Sequence, residues 1–142
     1  MSNGFRGRAI RIPIRRVDLR GQRAHMRARW PHFRCDYTTA GLTCVGLVRP
    51  TDLSGTYAVR IEMGTKGHPR VYVDDPSLMP RTPTQRIPHT YSLTELCAFH
   101  PREWSADRIV AITVVPWTYR WLYVYENWHA TGEWDAHGIH PN

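Results

Sequence analysis

Apolar residues recur along the chain with two different periods, and the switches between them mark out its elements. From Val17 to Trp30 the apolar stripe is thin: Leu19, Met26 and Trp30 lie seven and four apart, with Ala24 and Ala28 beside them. That spacing predicts a helix packed along one edge, with Asp18 near its start and Pro31 closing it. Gly21 weakens it by about 1 kcal/mol. From Arg34 to Arg49 the composition shifts to Thr, Tyr, Val and Leu, and Leu42, Cys44, Gly46 and Val48 fall on one side of a two-residue repeat. A single strand is expected there, ended by Arg49-Pro50-Thr51-Asp52. After Ser54-Gly55, Tyr57, Val59, Ile61 and Met63 alternate with Ala58, Arg60 and Glu62 to give the clearest strand in the chain. A turn from Gly64 to Pro69 leads to a third strand, Arg70 to Asp74, with Val71 and Val73 inward. Strands joined by short turns predict an antiparallel meander with one buried face and one wet face.

Pro76, Pro80, Pro83 and Pro88 then exclude a helix or central strand between Asp75 and Pro88, so this is a crossover. The next stretch, from Ile87 to Trp104, fits neither period, and irregular segments of that length inside a small domain are where function usually sits. Beyond it Ser105 reads as an N-cap, with Asp107 in the first turn and Trp104 and Ile109 placed for a hydrophobic staple. This predicts a helix to about Val115. Pro116 opens a second helix, Trp117 to Thr131, whose Trp117, Trp121, Val124 or Tyr125, and Trp128 recur at helical spacing before Gly132 stops it. Helix, meander, irregular segment and helices describe an α+β domain over residues 17–134. A basic arm (1–16) precedes it and a polar tail (135–142) follows.

Composition changes this picture in three places. Residues 1–34 hold ten Arg against one acid, Asp18, for a local charge of +9; the chain is +7, so residues 35–142 carry −2. Arginine suits bidentate contacts to phosphate or carboxylate, and the same charge also suits a solvated arm with no dedicated partner. The three cysteines, odd in number and irregularly spaced, do not form a disulfide framework or zinc ribbon. Reduced thiols in a cytoplasmic protein are expected: Cys44 as a small core residue, and Cys35 at a strand start with no partner spacing. No apolar run approaches the roughly 20 residues of a membrane span, and the basic N-terminus lacks the features of a signal peptide, so no membrane partner is expected. His137, His140 and Asn142 lack a third ligand at fixed spacing for a metal site, and no cofactor is expected.

Cys97, in the irregular stretch, admits three chemical readings. A cysteine protease would use His89 or His100 as base and need a third group to orient it. A zinc site from His89, Cys97 and His100 would have eccentric spacing and no fourth ligand. The third is a buried structural cysteine between Leu96 and Phe99.

The run Pro88, Tyr91, Leu96-Cys97, then Trp104-Ser105, resembles ubiquitin-conjugating enzymes over roughly residues 17–132. In that family a His-Pro-Asn-x-Tyr motif precedes the nucleophilic cysteine, with eight positions from Asn to Cys. Here the matching residues are Ile87-Pro88-His89-Thr90-Tyr91, and His89 lies eight positions before Cys97. Ile87 replaces the family's His, and His89 its Asn, which steadies the oxyanion as the thioester is attacked. A histidine can donate one hydrogen bond to an oxyanion and can also take up a proton. The later run Val115-Pro116-Trp117, Trp121-Leu122, Tyr125-Glu126, Trp128 and Thr131-Gly132-Glu133-Trp134 resembles the stand-alone bacterial members of type II CBASS antiphage operons.

The resemblance implies that Cys97 forms a thioester with the C-terminal carboxyl of a partner. That partner would be the cyclic-oligonucleotide synthase (CD-NTase) of the operon, which the thioester primes, or another protein ending in glycine. It further implies that His89 stabilises the tetrahedral intermediate, that Tyr91 packs the segment and does not react, that Pro88 supports it, and that His100 is a surface residue able to shuttle protons. Trp104 would anchor the loop, and Arg20, Arg23 and Arg27 would dock the partner. The alternative is a non-catalytic module of the same fold that binds nucleic acid or an acidic protein through its Arg-rich N-terminus. Against nucleic acid, the aromatics lie at core spacing and are not interleaved with the arginines, so no base-stacking platform is visible.

Overall fold

The computed structural model describes residues 16–135. The basic arm and the polar tail, with His137, His140 and Asn142, therefore lie almost wholly outside the described residues. Helix α1 (Leu19–Arg29) starts where Asp18 accepts a hydrogen bond from the Gly21 amide at 2.7 Å. It buries Gln22 and Met26 and turns its arginines outward, as the thin stripe predicts. Five antiparallel strands follow in sequence order across one sheet: β1 (Arg34–Thr38), β2 (Gly41–Val48), β3 (Tyr57–Met63), β4 (Arg70–Asp75) and β5 (Glu95–Leu96). Helix α2 (Val114–Thr131) closes the core and ends at Gly132, whose φ of +84° and bond to the Trp128 carbonyl form a left-handed cap. The inward rows Leu42, Cys44 and Val48, Val59 and Ile61, and Val71 and Val73 pack with Val114, Leu122 and Trp128 into one core.

Three expectations are corrected. The single strand expected from Arg34 to Arg49 is a hairpin, folded at Thr39-Ala40. That fold sets Cys35 directly opposite Cys44, and the two form a disulfide between adjacent strands. Along one extended strand nine residues would hold these thiols about 30 Å apart, which is why the spacing suggested no pair. They are buried, as expected of Cys44, but they are not reduced thiols.

The helix expected from Ser105 is also absent. Ser105 makes a turn with Arg108, its hydroxyl bonds Asp107, and only a 3-10 turn, Val110–Ile112, precedes α2. The backbone of this segment is satisfied by α1 instead of by itself. The Gln22 amide donates to the Arg108 carbonyl at 2.8 Å and accepts from the Val110 amide at 2.9 Å. The Val17 amide bonds the Ala106 carbonyl, and the Trp30 indole bonds that of Ala111. Long-range partners for the backbone outcompete a local helix. The Trp104–Ile109 staple therefore has no helix to cap.

The proline-rich crossover is strapped across the end of α2. Tyr125 and His129 bond the Met79 backbone, Arg81 donates to the His129 carbonyl, and Leu78 and Ile87 are buried. It thereby delivers residue 88 to the far edge of the sheet from α1. Among the described residues no helix is long and apolar enough to cross a membrane.

Candidate functional site

Strand β5 is two residues long, and it is what places the cysteine. Leu96 pairs with Val71 of β4 and with Thr90, so the chain from Thr90 to Leu96 closes into a tight loop. Glu95, buried, is held by an ion pair to Arg70 at 2.9 Å, which keeps the guanidinium well charged. Leu96, Ala98 and Phe99 enter the core, and Cys97 between them is left half-buried. Among the described residues it is the one free cysteine.

Two bonds fix the turn before it. The Cys97 amide and the Trp121 indole each donate to the His89 carbonyl at 2.9 Å. His89 has φ of +51°, a left-handed conformation that His tolerates better than most residues. Its ring rests on Trp134, centroids 5.4 Å apart, and Trp134 meets Trp121 edge-on at 5.2 Å. Trp134 is thus folded back from beyond the helix stop.

These residues enclose a groove of about 250 Å³ on the α2 side of Cys97. Trp121, Val124, Phe99 and Trp134 make its apolar wall, and His89, His100, Glu103 and Arg120 contribute polar groups. The buried-cysteine reading of Cys97 is therefore not what the fold presents: the residue lines an open cleft.

Among the described residues, the sulfur's hydrogen-bond partners are the Tyr91 hydroxyl and the Phe99 carbonyl, each at 3.5 Å. Tyr91 is 48% exposed, so the expectation that it packs the segment is not met. Its contact with Cys97, then burial, pushes the phenol up to about 12. His100 caps the 3-10 turn Pro101–Glu103: its ring accepts from the Arg102 amide, and Glu103 accepts from the His100 amide. Trp104 is half-buried against the core beside Phe99, and Pro88 is half-buried in the turn. Among the described residues no group of three His, Cys, Asp or Glu is placed to hold a metal, so the zinc alternative of His89, Cys97 and His100 has no cluster behind it.

The candidate docking arginines separate into two kinds. Arg23 is tied to the domain, donating to the Cys35 carbonyl and lying over Tyr37. Arg20 and Arg27 are exposed, and Arg27 shares a basin of about 390 Å³ with Arg23, His32 and Arg34. This basin adjoins β1 and Cys97 follows β5, so four strand spacings, about 19 Å, separate the two edges. Sequence reasoning missed Trp121 as the residue that holds the His89 turn and missed Trp134 as a groove wall. The available signal was chemical: a Trp at a core position must find an acceptor for its N–H.

A meander between an N-terminal and a C-terminal helix, with a free cysteine in an irregular segment backed by the second helix, is the arrangement of an E2-like, ubiquitin-conjugating-like protein. The chain belongs to the type II CBASS E2 proteins, whose family model it matches over residues 22–141. Its role is accordingly an E2-like one within CBASS. Among curated proteins none matches the chain.

Proposed function

We propose that Cys97 forms a thioester with the C-terminal carboxyl of another CBASS protein, the cyclic-oligonucleotide synthase, and thereby primes that synthase. The observation that carries this reading is a free thiol, half-exposed in a groove, at the matching position of an E2-like chain. The thiolate attacks the acyl carbon of a carboxyl already activated as an adenylate or a thioester. The new C–S bond forms as AMP or a thiol leaves, and the thiol's proton goes to solvent. His89, on the same groove, stabilises the tetrahedral oxyanion. His100 caps its own turn and stands at the rim. The exposed Arg20 and Arg27, with Arg23 behind them, dock an acidic surface of the partner at a distance from the chemistry.

The test is co-expression with the operon's synthase and intact-mass analysis. A covalent adduct should appear that thiol reductants cleave and Cys97→Ala abolishes. An adduct that survives Cys97→Ala, or no adduct at all, refutes the reading. Steeply salt-dependent binding of DNA or RNA in that second case would favour the non-catalytic module.

A further inference from the structure

Tyr91 is the unexplained residue of the site. Its ring is half-exposed, so packing does not account for where it stands, yet its backbone is pinned by a bond from its amide to the Glu95 carbonyl at 2.9 Å. The Thr90–Leu96 pairing closes the loop and sets the phenol beside a sulfur six residues further on.

The two partners of that sulfur differ in what they can do. A neutral thiol can donate to either the Phe99 carbonyl or the Tyr91 oxygen. A thiolate can only accept. The carbonyl has no hydrogen to offer and favours the protonated sulfur, whereas the phenol can reverse its bond and donate. Tyr91 is thus the one of the two contacts able to serve the reactive form.

We propose that Tyr91 is a catalytic residue whose hydroxyl donates a hydrogen bond to the Cys97 thiolate and so stabilises the reactive form of the sulfur. This rests on the reading of Cys97 as the nucleophile. When the thioester forms the sulfur gives up this bond, and when an acceptor nucleophile bonds the acyl carbon and the C–S bond breaks, the departing thiolate regains it. The raised phenol pKa agrees with the geometry, since a Tyr beside a thiolate holds its own proton more tightly. The other ionisable groups around the sulfur are His89 on the preceding turn, His100 and Glu103 on the 3-10 turn, and Arg120 on α2. Tyr91's outer flank faces Glu95 with its partner Arg70, and His68.

The test is the pH dependence of Cys97 alkylation by iodoacetamide in the full chain, with Cys97→Ala as the blank and Tyr91→Phe as the variant. Tyr91→Phe removes one exposed oxygen, and an unchanged melting temperature will show that the fold is kept. The profile should move up by about half to one pH unit. A more basic thiolate is also the better nucleophile, so the rate at pH 7 should fall about two- to four-fold while the high-pH plateau rises about two- to three-fold. The curves therefore cross, which a purely structural effect would not produce. A profile that overlays the wild type, or shifts to lower pH, overturns the proposal. Alkylation needs no acyl donor, so this result is readable whether or not the partner's carboxyl is captured.

Discussion

Trp121→Phe tests whether the cysteine turn is held from α2. The substitution keeps an aromatic ring in a site only 4% exposed but removes the indole N–H that bonds the His89 carbonyl. The lost bond is worth about 1 kcal/mol, because the carbonyl keeps its second donor, the Cys97 amide, and is not orphaned. The smaller ring also leaves a void beside Tyr125 and Trp134, its neighbours at 5.5 and 5.2 Å, for a further ~1–2 kcal/mol. The sum, about 2–3 kcal/mol, corresponds to a melting temperature lower by roughly 6–9 °C for a domain of this size. A second effect is local. The left-handed His89 backbone costs about 1–2 kcal/mol and is opposed by those two bonds, so losing one should loosen the turn. Amide exchange at Cys97, whose N–H bonds the same carbonyl, should then speed up about five-fold relative to strands β2 and β3. Melting within about 2 °C of the wild type together with unchanged Cys97 exchange would show that the indole does not hold this turn.

Gln22→Leu should cost about 2–4 kcal/mol in chemical denaturation, because the buried Val110 amide and the Arg108 carbonyl lose their partner together; a loss below 1 kcal/mol would mean that segment finds its own hydrogen bonds. His89→Ala should slow transfer from a preloaded Cys97 thioester at least ten-fold in single-turnover measurements while lowering the melting temperature by only about 3 °C. Unchanged kinetics would remove His89 from the chemistry.

Much of the fold was legible because it depends on periodicity. Tyr57, Val59, Ile61 and Met63 are all buried on one face of β3, and Trp121 and Trp128 are buried seven apart on α2 before Gly132. The position of Cys97 between a proline-rich crossover and an aromatic helix was also readable. The hairpin at Thr39-Ala40 was not, since its strong turn residue, Gly41, sits inside a run of strand-formers. With the hairpin unseen, the Cys35–Cys44 pair was invisible too. Gly46 was read as one more inward position. The fold uses its lack of a side chain, because a Cβ there would lie 2.6 Å from the Phe33 ring.

The sequence by itself determined helix α1, the inward faces of β2, β3 and β4, and the end of α2, because local spacing and backbone preference decide these. Only the tertiary structure decided that residues 105–109 would not be helical, that two cysteines would meet, and that Tyr91 would face a sulfur instead of the core. Each of those outcomes depends on a partner distant in sequence or on the closure of a loop: the Gln22 amide for the 105–109 segment, the opposite strand for Cys35, and the Thr90–Leu96 pairing for Tyr91. Such partners win because they satisfy buried backbone groups or fix a side chain's direction, and residue spacing along the chain carries no record of either.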